Sequence, residues 1–306
     1  MNRRQFVGLV ATTAAAQLPA GAAPAHRTRL ILLGTAGGPR PRQSRFPSAQ
    51  VLLVDDTPYV VDCGNGVARQ LVAADVPLRA IRHVFITHHH SDHNADFGNL
   101  LLLAWTAGLQ APVDCWGPAP LADMTSQYLA MNRADIEARI ADEGRVPLAP
   151  LLRPHDLAAP GIVLDDGIVR VTSAQVDHPP FAYAFAYRFD TPDRSIVISG
   201  DTRKSEALIR LAQGADVLVH EAMFPGAVDR LIANVANARS LKASIIGHHT
   251  TVEDVGKVAA AAGVKTLVLS HLVPAEDPTL TDAMWIDAAR TRFRGRIVVG
   301  RDLMEV

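Results

Sequence analysis

Residues 87–93 read Thr87-His88-His89-His90-Ser91-Asp92-His93, and this run decides the fold. Taken at alternate positions it is His88-x-His90-x-Asp92-His93, four potential metal ligands within six residues. The apolar Val84-Phe85-Ile86 precedes it and reads as a strand ending in a loop. Such a loop can aim side chains at one point while the strand fixes its root. Imidazole and carboxylate together suit zinc, and also manganese or iron. Four ligands this close crowd a single ion. As two pairs they can serve two neighbouring ions, provided that ligands from elsewhere complete both shells.

Three candidates stand downstream. His178 follows the strand-like Val169–Thr172, Asp201 ends the run 195–202, and His271 ends the run 265–271. Each comes after a short apolar, β-branched stretch, which places it at the terminus of a buried strand. A histidine that merely fills a core falls more often inside such a run. A carboxylate has two oxygens and can bridge two ions, so an aspartate suits a shared position. Two ions roughly 3.5–4 Å apart generate a bound hydroxide near neutral pH and clamp an in-line displacement. His89 points away from His88 and His90 on an extended segment. It is left out of the site, as are His26, His83, His155, His220 and His249, all read as solvated or structural.

The pattern resembles the metallo-β-lactamase-fold hydrolases, and within them the ribonuclease Z-like and arylsulfatase-like branch, over nearly everything after residue 28. Leu30–Pro39, Val61-Asp62-Cys63-Gly64-Asn65-Gly66, His88–His93 and Ser199-Gly200-Asp201-Thr202 carry the likeness. His220-Glu221-Ala222, His248-His249-Thr250, Ser270-His271-Leu272 and Asp302-Leu303-Met304 continue it in order. The resemblance implies a four-layer α/β/β/α sandwich and two Zn2+ ions, with Mn or Fe as alternatives. One ion would be held by His88, His90, His178 and Asp201. The other would be held by Asp92, His93, Asp201 and His271. Asp92 would also orient the hydroxide, His248 would stabilise or protonate the leaving group, and Glu221 would orient His248. A helix-capping surface His248 and an ordinary buried ion-paired Glu221 are the bland readings of the same residues.

Composition describes an ordinary globule: 306 residues, 48% hydrophobic and 20% charged. Two cysteines, Cys63 and Cys115, are too few for a disulfide framework and read as buried thiols. Residues 1–25 are a separate object. Arg3-Arg4 precede a short apolar run and small residues, the pattern of a cleaved signal peptide of the twin-arginine type. This implies the twin-arginine export machinery as a partner, a periplasmic or secreted protein, and no stable membrane insertion. Residues 28–306 read as one hydrolase domain with a helical insertion near 119–155.

Without Arg3 and Arg4 the chain has 28 basic against 31 acidic residues, a formal charge of −3. Phosphate contacts dominate nucleic-acid affinity, and the insertion carries four basic residues (Arg133, Arg139, Arg145, Arg153) against five acidic ones. A nucleic-acid partner is therefore disfavoured, and tRNA 3′ processing with it. The preferred substrate is a small-molecule ester, a phosphodiester or aryl sulfate. The alternatives are a lactonase or β-lactamase-like acyl hydrolase and a non-catalytic metal-binding module. The insertion reads as a helix from 121 to 142 that is either a lid over the cleft or packing on the scaffold. Helices are also expected near 66–75, 228–238 and 251–262, the last capped by a Thr250–Glu253 box. Oligomeric state is not written in the sequence, and a dimer stays open.

Overall fold

Alternation along the strands sets the layers, because side chains on a strand point to opposite faces in turn. A computed structural model describes residues 27–233 and 235–306. The signal peptide expected at Arg3-Arg4 lies outside them. In β1 (Thr28–Gly34), Leu30 and Leu32 pack with Phe185, Tyr187 and Val217 between two sheets. Ile31 and Leu33, one position out of phase, pack with Leu71, Leu100 and Leu101 of the outer helices. Both faces of β1 are buried, so it is apolar from Leu30 to Leu33.

The first sheet is built from β1, β2 (Ala49–Val54), β3 (Thr57–Val61), β4 (His83–Phe85), β5 (Val113–Pro118) and β6 (Leu152–Leu157). The second contains β7 (Gly161–Asp165), β8 (Arg170–Gln175), β9 (Phe185–Asp190), β10 (Ser195–Ile198), β11 (Val217–Met223), β12 (Thr266–Val273) and β13 (Arg296–Val299). A short β14 (Met304–Glu305) returns to the first sheet beside β1. Outside the first sheet lie α1 (Val67–Ala73), α2 (Ser91–Asn94), α3 (Phe97–Thr106), α4 (Leu121–Met131) and α5 (Arg133–Glu143). On the second sheet pack α6 (Glu206–Leu211), α9 (Val252–Ala262) and α10 (Asp282–Arg290), with α7 (Val228–Ile232) and α8 (Ala238–His248) beyond its edge. The layers are those of an α/β/β/α sandwich.

Direction explains where a site must form. β3 to β6 run parallel, as do β10 to β13. β8 is antiparallel to β9, which is antiparallel to β10, so β8 and β10 share a direction. Ligands in open α/β sheets gather outside the carboxyl ends of the strands. The segments after β4, β8 and β10 and the end of β12 supply all the expected metal ligands.

The insertion is not a lid. It breaks at Asn132 into α4 and α5, and its apolar face packs on the scaffold. Ile136 and Leu148 join Leu102 and Trp105 of α3, and Trp105 Nε1 donates to the Val146 carbonyl at 2.8 Å. The segment bordering the cleft is instead α7 and α8. The cap of α9 sits one residue later than the sequence suggests: Thr251 Oγ1 accepts from Asp254 N at 3.2 Å. Thr250 is engaged elsewhere, its hydroxyl donating to the Thr202 carbonyl at 2.6 Å. Cys63 and Cys115 are free and buried, as expected. Among the described residues no helix is long and apolar enough to cross a membrane.

Candidate metal centre

β4 ends at Phe85, and the chain then delivers His88 and His90 from an extended segment and Asp92 and His93 from the single turn of α2. His88 Nε2 and His90 Nδ1 lie 3.0 Å apart, and His178 Nε2 lies 3.0 Å from the same His90 nitrogen. Asp201 Oδ2 is 3.9 Å from His88 Nε2 and 3.8 Å from His178 Nε2. In the second group, His93 Nε2 stands 3.3 Å from Asp201 Oδ1, and His271 Nε2 stands 3.2 Å from both Asp92 Oδ2 and Asp201 Oδ2. Within each set the ligand atoms fall inside 4.8 Å of one another, and Asp201 belongs to both. Bonds of about 2.0–2.1 Å to a tetrahedral ion imply ligand separations of about 3.3 Å, close to what is observed.

Chemistry confirms that a cation fits. Three imidazole nitrogens converge with no proton arrangement that satisfies all of them. His93 Nε2 and Asp201 Oδ1, which face each other across the site, are buried without any hydrogen-bond partner. A buried unsatisfied polar atom costs about 1–3 kcal/mol, so a bare site would be an expensive arrangement. Burial lowers the His88 and His178 imidazoles and brings His90 down to about 4, keeping all three neutral as metal ligands must be. Burial alone would raise the Asp92 and Asp201 carboxyls. The surrounding imidazoles outweigh it, and both stay well below the usual range.

The backbone pays for this convergence at His271. Opposite Glu221 and Ala222 of β11 stand Ser270 and Leu272 of β12, so His271 is the extra residue of a bulge, at φ 43°. A bulge re-aims a side chain, and this one turns the imidazole out of the strand toward Asp92. The glycine turn after β1 closes over it. Gly37 N donates to the Leu272 carbonyl at 3.1 Å and Gly38 N to Asp92 Oδ2 at 2.8 Å. A Cβ at Gly37 would come within 2.9 Å of the His271 ring, so only glycine permits this approach.

Asp62 was missed as a site residue, although it lies in a quoted motif. Its Oδ2 accepts from His93 Nδ1 at 2.7 Å and from the Thr87 hydroxyl at 3.0 Å, and its Oδ1 accepts from Thr87 N. This turns His93 Nε2 toward Asp201. Replacing the outer carboxylate that orients a ligating histidine typically costs about 10–100-fold in metal affinity. Asp62→Ala is therefore expected to weaken one metal position by that factor in a chelator competition while the other holds; unaltered affinity at both would remove the role.

The two adjacent histidines, His248 and His249, take different places. Glu221 was expected to orient His248, but its Oε1 accepts from Thr250 N at 2.9 Å and lies 3.3 Å from His249 Nδ1. The distance is that of an ion pair, yet the angle misses a hydrogen bond, leaving His249 Nδ1 and Glu221 Oε2 without partners. His249 Nδ1 is also 3.9 Å from Asp201 Oδ2, and its ring lies 5.4 Å from that of His178 and 5.5 Å from that of His271. It therefore sits between the two ligand sets. Burial opposes its charge, but Glu221 and Asp201 prevail and raise it to about 9. His248 instead offers its backbone: its carbonyl accepts from His178 Nδ1 at 3.1 Å, while its own Nδ1 meets Ser244 Oγ at 3.1 Å at the cleft mouth. His89 is tied to Pro118 and Asn94, outside the site as expected.

A cleft of about 250 Å3 opens above these residues. A family profile described as "Beta-lactamase superfamily domain" matches residues 57–272. Ribonuclease Z of Mycobacterium bovis BCG is 32% identical over 280 residues, covering 90% of this chain and 97% of that protein. Ribonuclease Z of Mycobacterium sp. strain KMS is 34% identical over 279 residues, with 90% and 95% covered. Among solved structures, the metallo-β-lactamase fold protein YhfI from Bacillus subtilis superposes with a TM-score of 0.66 at 22% identity, over 91% of this chain and 98% of that one. The short form of human tRNase Z gives 0.64 at 21% identity, over 91% and 98%.

Proposed function

This chain belongs to the metallo-β-lactamase superfamily, with ribonuclease Z relatives along 90% of its length, and from that premise we propose that it is a phosphodiesterase. That it is a metal-dependent hydrolase follows from those relatives and from its paired histidine–aspartate sites. The phosphodiester assignment is carried by one observation: two ligand sets sharing Asp201, with His249 set between them and Glu221 beside it. Metal ions held there supply Lewis acidity and an activated water for in-line displacement.

The chain's own residues do the rest. His88, His90 and His178 bind as neutral imidazoles, and Asp92, Asp201, His93 and His271 complete the second set. Gly38 N–H holds Asp92 in place, and Asp62 holds His93. His249 delivers the proton to the departing oxygen, which is the part the sequence reading gave to His248, and Glu221 positions it. A positioned proton donor contributes about 10²–10⁴-fold.

Relatives named ribonuclease Z weigh against the preference for a small ester over nucleic acid, since that name points to RNA. They also favour a phosphodiester over a sulfate ester, a lactone or a β-lactam. A phosphodiester is the bond that RNA and a small diester share. The deciding measurement is metal analysis of purified protein followed by a panel of bis(4-nitrophenyl) phosphate, a 3′-extended tRNA, an aryl sulfate, a lactone and a β-lactam. Diester turnover lost to chelator and restored by zinc is the expected result. Lactone or β-lactam turnover with inert diesters would overturn it.

Arg3-Arg4 before an apolar run supports export by the twin-arginine route and a place of work outside the cytoplasm. Changing both arginines to lysine should leave the chain unprocessed and unexported in a cell-fractionation blot. Undiminished export would rule the twin-arginine route out.

A further inference from the structure

The cleft has two unlike walls. One is the turn Gly37–Arg42. Arg42 is committed to that turn, donating to the Gly37 carbonyl at 2.7 Å and the Gly38 carbonyl at 3.0 Å. Arg40 is exposed on the rim, and its side chain makes no hydrogen bond or ion pair among the described residues. The other wall is aliphatic: Leu231 of α7 and Leu241 and Ile245 of α8, with Val273 from the end of β12 packed close to Gly37. Leu241 and Ile245 are one turn apart and so share a helix face. α8 carries no fully buried side chain; Ile245 and Leu231 rest on the small cluster of Met223, Val228 and Val273, and Leu241 and Ile245 stay half-buried at the cleft.

Resting on the phosphodiesterase reading, we propose that this wall receives an apolar leaving group. The substrate is a compact diester whose departing alcohol is an aryl or branched alkyl group. Its phosphoryl anion sits at the metal centre under Arg40, and its apolar arm lies against Leu231, Leu241, Ile245 and Val273. Hydrolysis joins a water oxygen to phosphorus, breaks the bond from phosphorus to the departing oxygen, and leaves that oxygen protonated as the free alcohol.

Size and chemistry agree. An apolar cavity of about 150 Å3 holds a benzene ring, so about 250 Å3 accommodates one ring and the attached phosphoryl group. RNA is usually recognised by stacking bases on aromatic side chains and by hydrogen bonds to base edges. Among the described residues no Phe, Tyr, Trp, Asn or Gln lines this cleft, and the planar side chains at its mouth are those of His248 and Arg40. Aliphatic side chains accept a hydrophobic group and do nothing to read a base.

The test uses the metal-loaded full chain and two product-like monoesters, 1-naphthyl phosphate and glycerol 3-phosphate, titrated by calorimetry. Wild type should bind the naphthyl ester about tenfold more tightly or better, since even one methylene in an apolar pocket is worth about tenfold. The double variant Leu241→Ala/Ile245→Ala should cut that preference below about threefold and leave glycerol 3-phosphate within about twofold. Leu241→Gln keeps the size, adds polarity and should shift the preference the same way, which guards against a folding artefact. Equal affinities in wild type, or a preference that survives both variants, would overturn the pocket even if diesters are cleaved. So would faster cleavage of a 3′-extended tRNA than of aryl diesters, measured as kcat/KM. A preference that depends on Leu241 in a protein that cleaves no diester would keep the pocket and sink the phosphodiesterase reading alone.

Discussion

Asp201→Ala should abolish turnover and strip metal from both positions, the largest effect expected of any single substitution in this chain. The residue is buried after β10, with Oδ1 facing His93 and Oδ2 facing His88, His178 and His271. Every other ligand belongs to one set, so its loss leaves the second set intact. Removing Asp201 takes one carboxylate from both and leaves the imidazoles crowded around a cavity with one negative charge fewer. Each ion then loses a ligand and part of its counter-charge. Loss of several kcal/mol of transition-state stabilisation corresponds to roughly 10³-fold or more in rate. The checks are elemental analysis and initial rates on the same preparation, with Asp201→Asn alongside to retain volume. Two metals per chain retained by Asp201→Ala would show that the shared position is wrong, whatever the rate.

The metal ligands were legible because their signal is local. Each sits at the end of a short apolar run, and parallel strands bring such ends to one edge, so sequence position implied spatial position. His271 shows the limit of this logic. Its place after the run 265–270 was readable, but the bulge that turns it was not, because a bulge is a relation between β12 and β11. β5 and β6 escaped notice for a related reason: Val113–Pro118 ends in Gly-Pro, and Leu152–Leu157 holds a proline, Pro154, and charged residues. β6 is an edge strand, where proline is tolerated. Of the apolar face that Tyr128, Leu129, Met131, Ile136 and Ile140 suggest in the insertion, all but the exposed Met131 pack inward; their partner was unknown. Trp105 and Leu102 supply that partner, and nothing in residues 119–155 names them.

The different placements of His248 and His249 were not legible, because α8 was not anticipated. Residues 238–248 have weak helical patterning, with Ile245 and Ile246 side by side and Gly247 near the end, and none of their side chains is buried. Read as a turn, the segment gives no reason to separate the two rings. Once the helix is present, it ends at His248, and His249 continues in extended conformation at φ −117°, ψ 162°. One ring then stays on the helix beside Ser244, and the other swings inward to Glu221. His249→Ala should therefore keep both metals and lower kcat by about 10²–10⁴-fold, most severely for diesters with poorly acidic departing alcohols, which need the proton most. His248→Ala should change kcat by less than about threefold, because its contact with His178 runs through a backbone carbonyl that alanine retains. Glu221→Gln should fall between the two, since an amide can still accept from Thr250 N yet no longer offers a charge to His249. Plotting log kcat against leaving-group pKa for all three variants gives the reading. A steeper dependence is expected for His249→Ala alone, and the same steepening in His248→Ala instead would return the proton-donor role to that residue.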